Sequence, residues 1–253
     1  MPTMPPDLHV LDRVALAVFL LGWLGYGPFI HAFHTRPSIT SRMGEVRRAW
    51  MFAMLGRDNR ITDASLIGNT MHSATFFAST CMIALAALLG MLGKFEATYA
   101  VLQGLHVTAK SSQVLIEGKI ILLMLVFAHS FLKLSWALRQ LNYCLALIGG
   151  APLKPGPAER ARLAEVDGAV LSLAIASFNA GIRGYYFALA GLAWFAGPEA
   201  FLVVTCGMLA MLLWRQFGSA TARAIAAAHP HYRPEPAPWD EAPPGKVAPV
   251  AGA

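Results

Sequence analysis

Two long apolar runs of the chain each carry an asparagine and a basic side chain shortly before an aromatic pair. Asn69 and His72 precede one pair, and Asn179 and Arg183 precede the other. An ionisable group inside the hydrocarbon of a bilayer costs about 2.5–3.5 kcal/mol, so such a residue usually faces protein or water and serves a purpose. The two runs therefore predict a polar interior whose chemistry rests on amide and basic side chains.

A third apolar run adds His129 and Lys133, whose spacing of four residues places them on one face of a helix. The stripe around His72 follows the same helical spacing. We expect the three polar stripes to face one another within one bundle. The candidate binding residues are then Asn69, His72, His129, Lys133, Asn179 and Arg183.

This candidate site contains four basic side chains and no acidic side chain at a comparable depth. With a helical rise of about 1.5 Å per residue, His129 lies about 13 Å inside the cytoplasmic end of its run. The sequence thus predicts a polar vestibule open to the cytoplasm, with an anion or an acidic lipid headgroup as its ligand. The alternative is purely structural, because such residues often bond across helices, and Lys133 and Arg183 can reach the inner headgroups.

The elements that must position these residues are membrane-spanning helices. The chain of 253 residues is 56% hydrophobic and only 13% charged, whereas a soluble domain has about 25% charged residues. The sequence predicts an all-α, polytopic transmembrane helix bundle of about five spans, with four strongly apolar runs as a minimum and each run near the roughly 20 residues that a span requires. The predicted spans are 14–30, 70–92, 120–138, 169–195 and 198–214.

The separation of the last two spans depends on Gly197 and Pro198. Glycine suits the residue just past a helix end, and proline suits the first position of the next helix. A single helix through this region would also be about 45 Å long, which exceeds the thickness of the hydrocarbon core. We therefore predict a tight turn and two spans.

Basic residues collect in cytoplasmic loops, and their distribution predicts the orientation of the chain. The segment after the first span is rich in arginine, as are the segments after the third and fifth spans, while the segment before the third span has few basic residues. Five spans place all three rich segments on one side. The sequence thus predicts a multi-pass protein of the cell (inner) membrane, with its N-terminus outside and its C-terminus in the cytoplasm.

An amphipathic helix is predicted at 42–55, between the first two spans. Met43, Val46, Trp50 and Met54 share one face of it, and Arg47 and Arg48 lie off that face. This pattern is typical of a helix at the membrane surface, with the tryptophan at headgroup depth and the arginines on anionic lipid headgroups. A surface for docking a partner protein is the alternative.

The remaining features bound the domains and exclude several classes of protein. We predict a transmembrane domain at 9–225 and a disordered, Pro/Ala-rich cytoplasmic tail at 226–253. Three cysteines without metal-binding spacing predict no metal site and no disulfide framework, and no cofactor is expected. Because the positive charge follows membrane topology, it does not indicate a nucleic-acid partner.

Several ordered motifs resemble an integral membrane family of bacteria and plants that is catalogued as domain of unknown function 599. The resemblance covers roughly residues 9–225. It implies a polytopic membrane protein and transfers no activity. The motifs that carry it are Arg47-Arg48-x-Trp50-Met51, Asn59-Arg60-Ile61-x-Asp63, Gly68-Asn69, Phe76-Phe77-Ala78-Ser79-Thr80, Arg139-Gln140-x-Asn142-Tyr143 and Phe178-Asn179-x-Gly181-x-Arg183-x-Tyr185-Tyr186-Phe187-Ala188.

Three functions remain open from the sequence. The first is transport of a small solute or anion through the basic vestibule, by a single chain or a homo-oligomer. The second is an accessory or assembly subunit of a membrane complex. The third, a haem-binding redox subunit with His72 and His129 as axial ligands, is disfavoured by the different depths of the two histidines. No hydrolytic triad, phosphate loop or metal motif points to an enzyme.

Overall fold

The structure is a computed structural model that describes residues 9–32, 38–104 and 112–232. These residues form helices joined by short connections and contain no β-strand, so the predicted all-α fold is confirmed. The helices are α1 (Val10–Ala32), α2 (Ile39–Leu55), α3 (Ile61–Gly93), α4 (Phe95–Gly104), α5 (Gln113–Gly150), α6 (Pro157–Ala193), α7 (Pro198–Phe217) and α8 (Ala220–Ala228).

Five helices are long and apolar enough to cross a membrane, namely α1, α3, α5, α6 and α7. This confirms the number of spans predicted from the sequence. Helices α3 and α5 contain 33 and 38 residues, about 50 Å and more in length, and exceed a hydrocarbon core of about 30 Å. Each of these two helices, like α6, is thus longer than a span requires.

The turn between α6 and α7 forms at the predicted residues. A short 3-10 helix, Trp194–Ala196, ends α6, and Gly197 follows with a φ of 135°, which favours glycine. Pro198 is the first residue of α7. Below, the end of the bundle that contains this turn is called the Trp194 end, and the opposite end, where α2 and α8 lie, is called the α2 end.

Helix α5 lies at the centre of the bundle, with α6 packed along one side and α3 along another. Glycines of α6 bring the first pair close together, since a Cβ atom at Gly184 would lie 1.6 Å from the Oγ atom of Ser130. Helix α1 packs on α7 and α6, and the Phe19 ring meets the Phe187 ring edge-on at a centroid distance of 5.5 Å.

Helix α2 begins after Ser38, whose side chain accepts a hydrogen bond from Ser41 N, and ends at Gly56. It runs antiparallel to the first half of α6, with Arg48 so close that a Cβ at Gly168 would lie 2.9 Å from its Cα. The buried residues of α2 are Met51, Met54 and Leu55. Of the predicted apolar face, Met54 is buried and Met43, Val46 and Trp50 are partly buried, while Met51 and Leu55 join the buried side because α6 packs against it. A position at the membrane surface stays a prediction.

Ordered structure continues beyond residue 225, where we predicted the disordered tail to begin. Ser219 caps α8, and α8 is followed by a 3-10 helix, His229–Tyr232, that contacts α2. The imidazole Nε2 of His229 lies 2.8 Å from Glu45 Oε2. The described part of the C-terminal segment is therefore held on α2, and the rest of the predicted tail, 233–253, lies outside the described residues.

Candidate functional site

The polar stripe of α3 does not face the interior as the sequence led us to expect. Asn69 and His72 are exposed, and they lie on the side of the helix opposite the buried Ile67, Ala74 and Ala78. Small side chains such as alanine let α3 approach α5 closely, which stabilises that face as the packing surface. The prediction that this stripe meets His129 is wrong.

Asn179 is also exposed on the bundle surface, one helical turn from Arg183 toward the α2 end. The register of α6 on α5 gives its level, because Gly181 lies against Leu134 and Ser177 donates to Gln140 Oε1 at 2.7 Å. Asn179 therefore lies near residue 138, the predicted end of the third span. Headgroups and water at that level can satisfy its amide.

His129, Lys133 and Arg183 lie near enough to one another for their charges to interact. The charges of Lys133 on α5 and of Arg183 on α6 both act on the imidazole of His129. The His129 ring also meets the ring of Trp23 on α1, with a centroid distance of 5.3 Å and an interplanar angle of 80°. Three helices thus contribute to one site.

Arg183 is positioned by a tyrosine of α1. Its Cζ atom lies 5.1 Å from the centroid of the Tyr26 ring, a distance at which a guanidinium is attracted to an aromatic face. The Tyr26 hydroxyl in turn donates to the carbonyl oxygen of Leu212 on α7 at 3.2 Å. The aromatic ring therefore holds the guanidinium beside the junction of α1, α6 and α7.

Arg215 of α7 adds a fourth basic side chain. Its Nη1 donates to the hydroxyl of Tyr186 at 3.0 Å, and its charge acts on Tyr26, as does that of Arg183. The sequence singled out Arg215 for topology alone, although its place at the end of the fifth span could have indicated the site. We call His129, Lys133, Arg183 and Arg215 the cationic cluster.

The cationic cluster has no acidic partner within the described part of the chain. None of the ion pairs there includes a member of the cluster. The groups that act electrostatically on His129 are basic, and the one that acts on Arg183 is Tyr26. All four members are partly or fully exposed. This arrangement can bind an anion, because charge-assisted hydrogen bonds from several donors are available to it.

A second polar group lies at the Trp194 end. Lys119 is 2% exposed and donates from Nζ to the carbonyl oxygen of Trp194 at 2.9 Å. The Trp194 indole donates to Asp12 Oδ1 at 2.7 Å, and Asp12 is 3% exposed. The ring of Phe201 stacks on the indole at 4.9 Å. We call Lys119, Asp12 and Trp194 the Trp194 clasp. The sequence analysis did not predict it, because Lys119 and Asp12 both precede the apolar runs that were taken as spans.

The residues predicted for the membrane surface bond to protein. Arg47 Nε donates to Ser172 Oγ at 2.9 Å, and burial lowers the pKa of the Arg47 guanidinium from its ordinary value. Arg48 forms an exposed ion pair with Glu165 at 3.3 Å. The Trp50 indole donates to Asp63 Oδ1 at 2.7 Å. These contacts fix α2 to α3 and α6, and their contact with lipid stays a prediction.

The described residues contain no group of three His, Cys, Asp or Glu side chains that could hold a metal ion. His72 is exposed on the far side of α3, whereas His129 contacts Trp23 of α1. The two imidazoles therefore do not face each other, and the pair of axial haem ligands considered from the sequence does not form.

Comparison with known proteins places the chain in a family. The family described as "Protein of unknown function, DUF599" matches residues 14–221, and the chain belongs to it. This agrees with the resemblance seen in the sequence motifs. Searches of curated proteins and of solved structures gave no match.

Proposed function

We propose that this member of the DUF599 family is an anion-binding membrane protein whose cationic cluster takes up an anion from the cytoplasmic side for transport. The observation that carries the proposal is the convergence of His129, Lys133 and Arg183 without an acidic partner among the described residues. Removing a basic group from water is costly unless a counter-charge is supplied. A bound anion supplies that charge.

The proposed orientation places the α2 end in the cytoplasm of a cell with an inner membrane and the N-terminus outside. It is supported by the arginine-rich segment that includes α2 and by the basic residues that follow α5 and α7. Toward the Trp194 end, the interior above the cluster is filled by Phe19, Phe187 and Phe201, all fully buried. This filled interior supports the proposal of a carrier in one state of alternating access, with entry from the α2 end and the opposite end closed.

Binding is tested by thermal melting of the protein in phosphatidylcholine nanodiscs, with inorganic phosphate added at constant ionic strength. The melting temperature of wild type should rise with phosphate, because a ligand that binds the folded state stabilises it. The rise should disappear in Arg183→Gln and persist in Arg139→Gln, which removes an exposed arginine of the same bundle end. Equal rises in all three proteins would refute the site.

Transport is tested separately, by uptake of labelled phosphate into phosphatidylcholine proteoliposomes. Protein-dependent uptake should be lost in Arg183→Ala and in His129→Ala. Uptake no greater than in protein-free liposomes would exclude phosphate transport while leaving the binding result intact.

A role as an accessory or assembly subunit is the second candidate. It is supported by Asn69 and His72, which are exposed on α3 and form no side-chain hydrogen bond within the described chain. A partner that docks on this face should co-purify with wild type in mild detergent and be lost in the Asn69→Leu/His72→Leu double variant. Unchanged co-purification would remove this candidate.

A further inference from the structure

The cationic cluster lies between α1 and α5, which make no extended contact with each other; we call the interval between them the gap. Helix α1 packs on α7 and α6, and α5 packs on α6 and α3, so α1 and α5 flank α6 without extended contact between them. Beside the cluster they meet through the rings of Trp23 and His129. Arg183 of α6 lies at the floor between the two helices, stacked on Tyr26.

One helical turn from that ring contact toward the α2 end, the gap loses its side-chain contact. Gly27 follows Trp23 by four residues, and Lys133 follows His129 by four, so both lie on the faces that met one turn before. A Cβ atom at Gly27 would have one neighbour within 4 Å, the Nη2 atom of Arg183 at 3.7 Å. Glycine thus leaves room beside Arg183, and Lys133 and Arg183 are both partly exposed at this level; we call this position between α1 and α5 the opening.

The surfaces on both sides of this opening are apolar and exposed. On α1, Leu24 is 56% exposed and neighbours Gly27 on the helix surface; on α5, Leu132 is 65% exposed and neighbours Lys133. Trp136 is exposed one turn beyond Leu132, and tryptophan is enriched at headgroup depth. A ligand that fits this gap carries an anionic group for the cations and a hydrocarbon portion for the leucines.

We propose that the anion bound by the cationic cluster is the phosphate of an acidic phospholipid, which inserts sideways between α1 and α5. This rests on the proposed anion-binding function and names its ligand class. The headgroup phosphate contacts Arg183 and Lys133, and the acyl chains lie along Leu24 and Leu132. Arginine and lysine both suit phosphate, arginine through its paired donors and lysine as a point charge. The opening lies about one turn deeper than residue 138, and the long side chains of Lys133 and Arg183 can extend from there toward inner-leaflet headgroups.

The test compares lipid-borne with soluble phosphate. Detergent-purified full-length protein is mixed with phosphatidylglycerol and phosphatidylcholine, and bound lipids are counted by native mass spectrometry, with soluble glycerol phosphate as competitor. Wild type should retain phosphatidylglycerol in preference to phosphatidylcholine. Arg183→Gln and Lys133→Gln should each lower that retention about tenfold, since each removes a charge-assisted contact. Arg139→Gln should leave it unchanged.

The decisive variant fills the gap and keeps every charge. Gly27→Leu should lower phosphatidylglycerol retention as much as Arg183→Gln, while the phosphate-dependent rise in melting temperature persists, because aqueous phosphate does not need the lateral opening. The matched control is Gly25→Leu in the same helix, where a Cβ would meet nothing within 4 Å, and it should retain lipid as wild type does.

Three outcomes overturn the inference, and they separate it from the proposed function. Unchanged lipid retention in Gly27→Leu refutes lateral access. Displacement of the lipid by glycerol phosphate at equal concentration shows that a soluble anion is the ligand, and the anion-binding function stands. Absence of both lipid preference and phosphate stabilisation in wild type refutes the site and the function together.

Discussion

Lys119 and Lys133 lie 14 residues apart on nearly the same face of α5, about 21 Å along the helix, and their surroundings differ completely. Lys119 is buried in the Trp194 clasp, where a carbonyl oxygen, an aromatic ring and the charge of Asp12 surround its ammonium group. Lys133 is partly exposed among basic neighbours. The first lysine is compensated within the protein, and the second is not.

The comparison teaches how to separate a structural charge from one that binds a ligand. A buried charge is tolerated when its partners are built into the fold, and it then ties those elements together. The Trp194 clasp joins α1, α5 and the end of α6 in this way. A cluster of like charges lowers stability unless a counter-ion binds, so a concentration of basic side chains in one place indicates a ligand rather than a requirement of the fold.

The largest effect should come from breaking the Trp194 clasp. Lys119→Met removes the hydrogen bond to the Trp194 carbonyl and a positive charge that acts on the buried Asp12. We expect the free energy of unfolding to fall by about 3 kcal/mol, because a buried acceptor loses its charged donor. Lys133→Met should cause no measurable loss, since Lys133 has no ion pair in the described chain. Denaturant titration of both variants in mixed micelles measures the difference.

The control for that prediction removes the charge of Asp12 as well. In Asp12→Asn/Lys119→Met the amide oxygen still accepts from the Trp194 indole, so the part of the loss that comes from the uncompensated charge of Asp12 should return. Equal losses in Lys119→Met and Lys133→Met, or a double variant less stable than Lys119→Met, would contradict the assigned role of the clasp.

A smaller effect is expected at the close contact between α5 and α6, which places His129 and Arg183 near each other. Gly184→Ala puts a methyl group 1.6 Å from Ser130 Oγ and 2.9 Å from its Cβ, and overpacking of this kind costs about 1–3 kcal/mol. The added methyl group should also displace α6 and thereby reduce the rise in melting temperature that phosphate produces. Gly207→Ala is the control, because a Cβ there meets nothing within 4 Å and alanine favours a helix more than glycine does. A loss as large in Gly207→Ala would contradict the assignment of the effect to the close contact between α5 and α6.

The smallest effect is expected inside the cationic cluster. Tyr26→Phe removes the hydrogen bond to Leu212 and keeps the ring under Arg183, so the unfolding free energy should fall by about 0.5–1.5 kcal/mol with phosphate stabilisation retained. Thermal melting in nanodiscs measures both. Tyr232→Phe, at a residue that is 53% exposed, should change neither. Loss of phosphate stabilisation in Tyr26→Phe would show that the hydroxyl itself contacts the anion.

Much of the fold follows from local rules that need no tertiary context. The apolar runs and the Gly197-Pro198 turn form as predicted. Each depends on hydropathy over about 20 residues or on the backbone preference of one residue. Such signals are complete within a short segment, which is why they can be taken from the sequence.

The composition of the site depended on the tertiary structure. Periodicity correctly places Asn69 and His72 on one face of α3, but it does not say whether that face meets protein or lipid, and the small residues Ala74 and Ala78 became the packing face instead. Arg215 and Tyr26 entered the site because α1 and α7 pack beside α6. The sequence determined the spans and the excess of basic groups. Only packing decided which of those groups share one site, because helix rotation is set by contacts between segments distant in the chain.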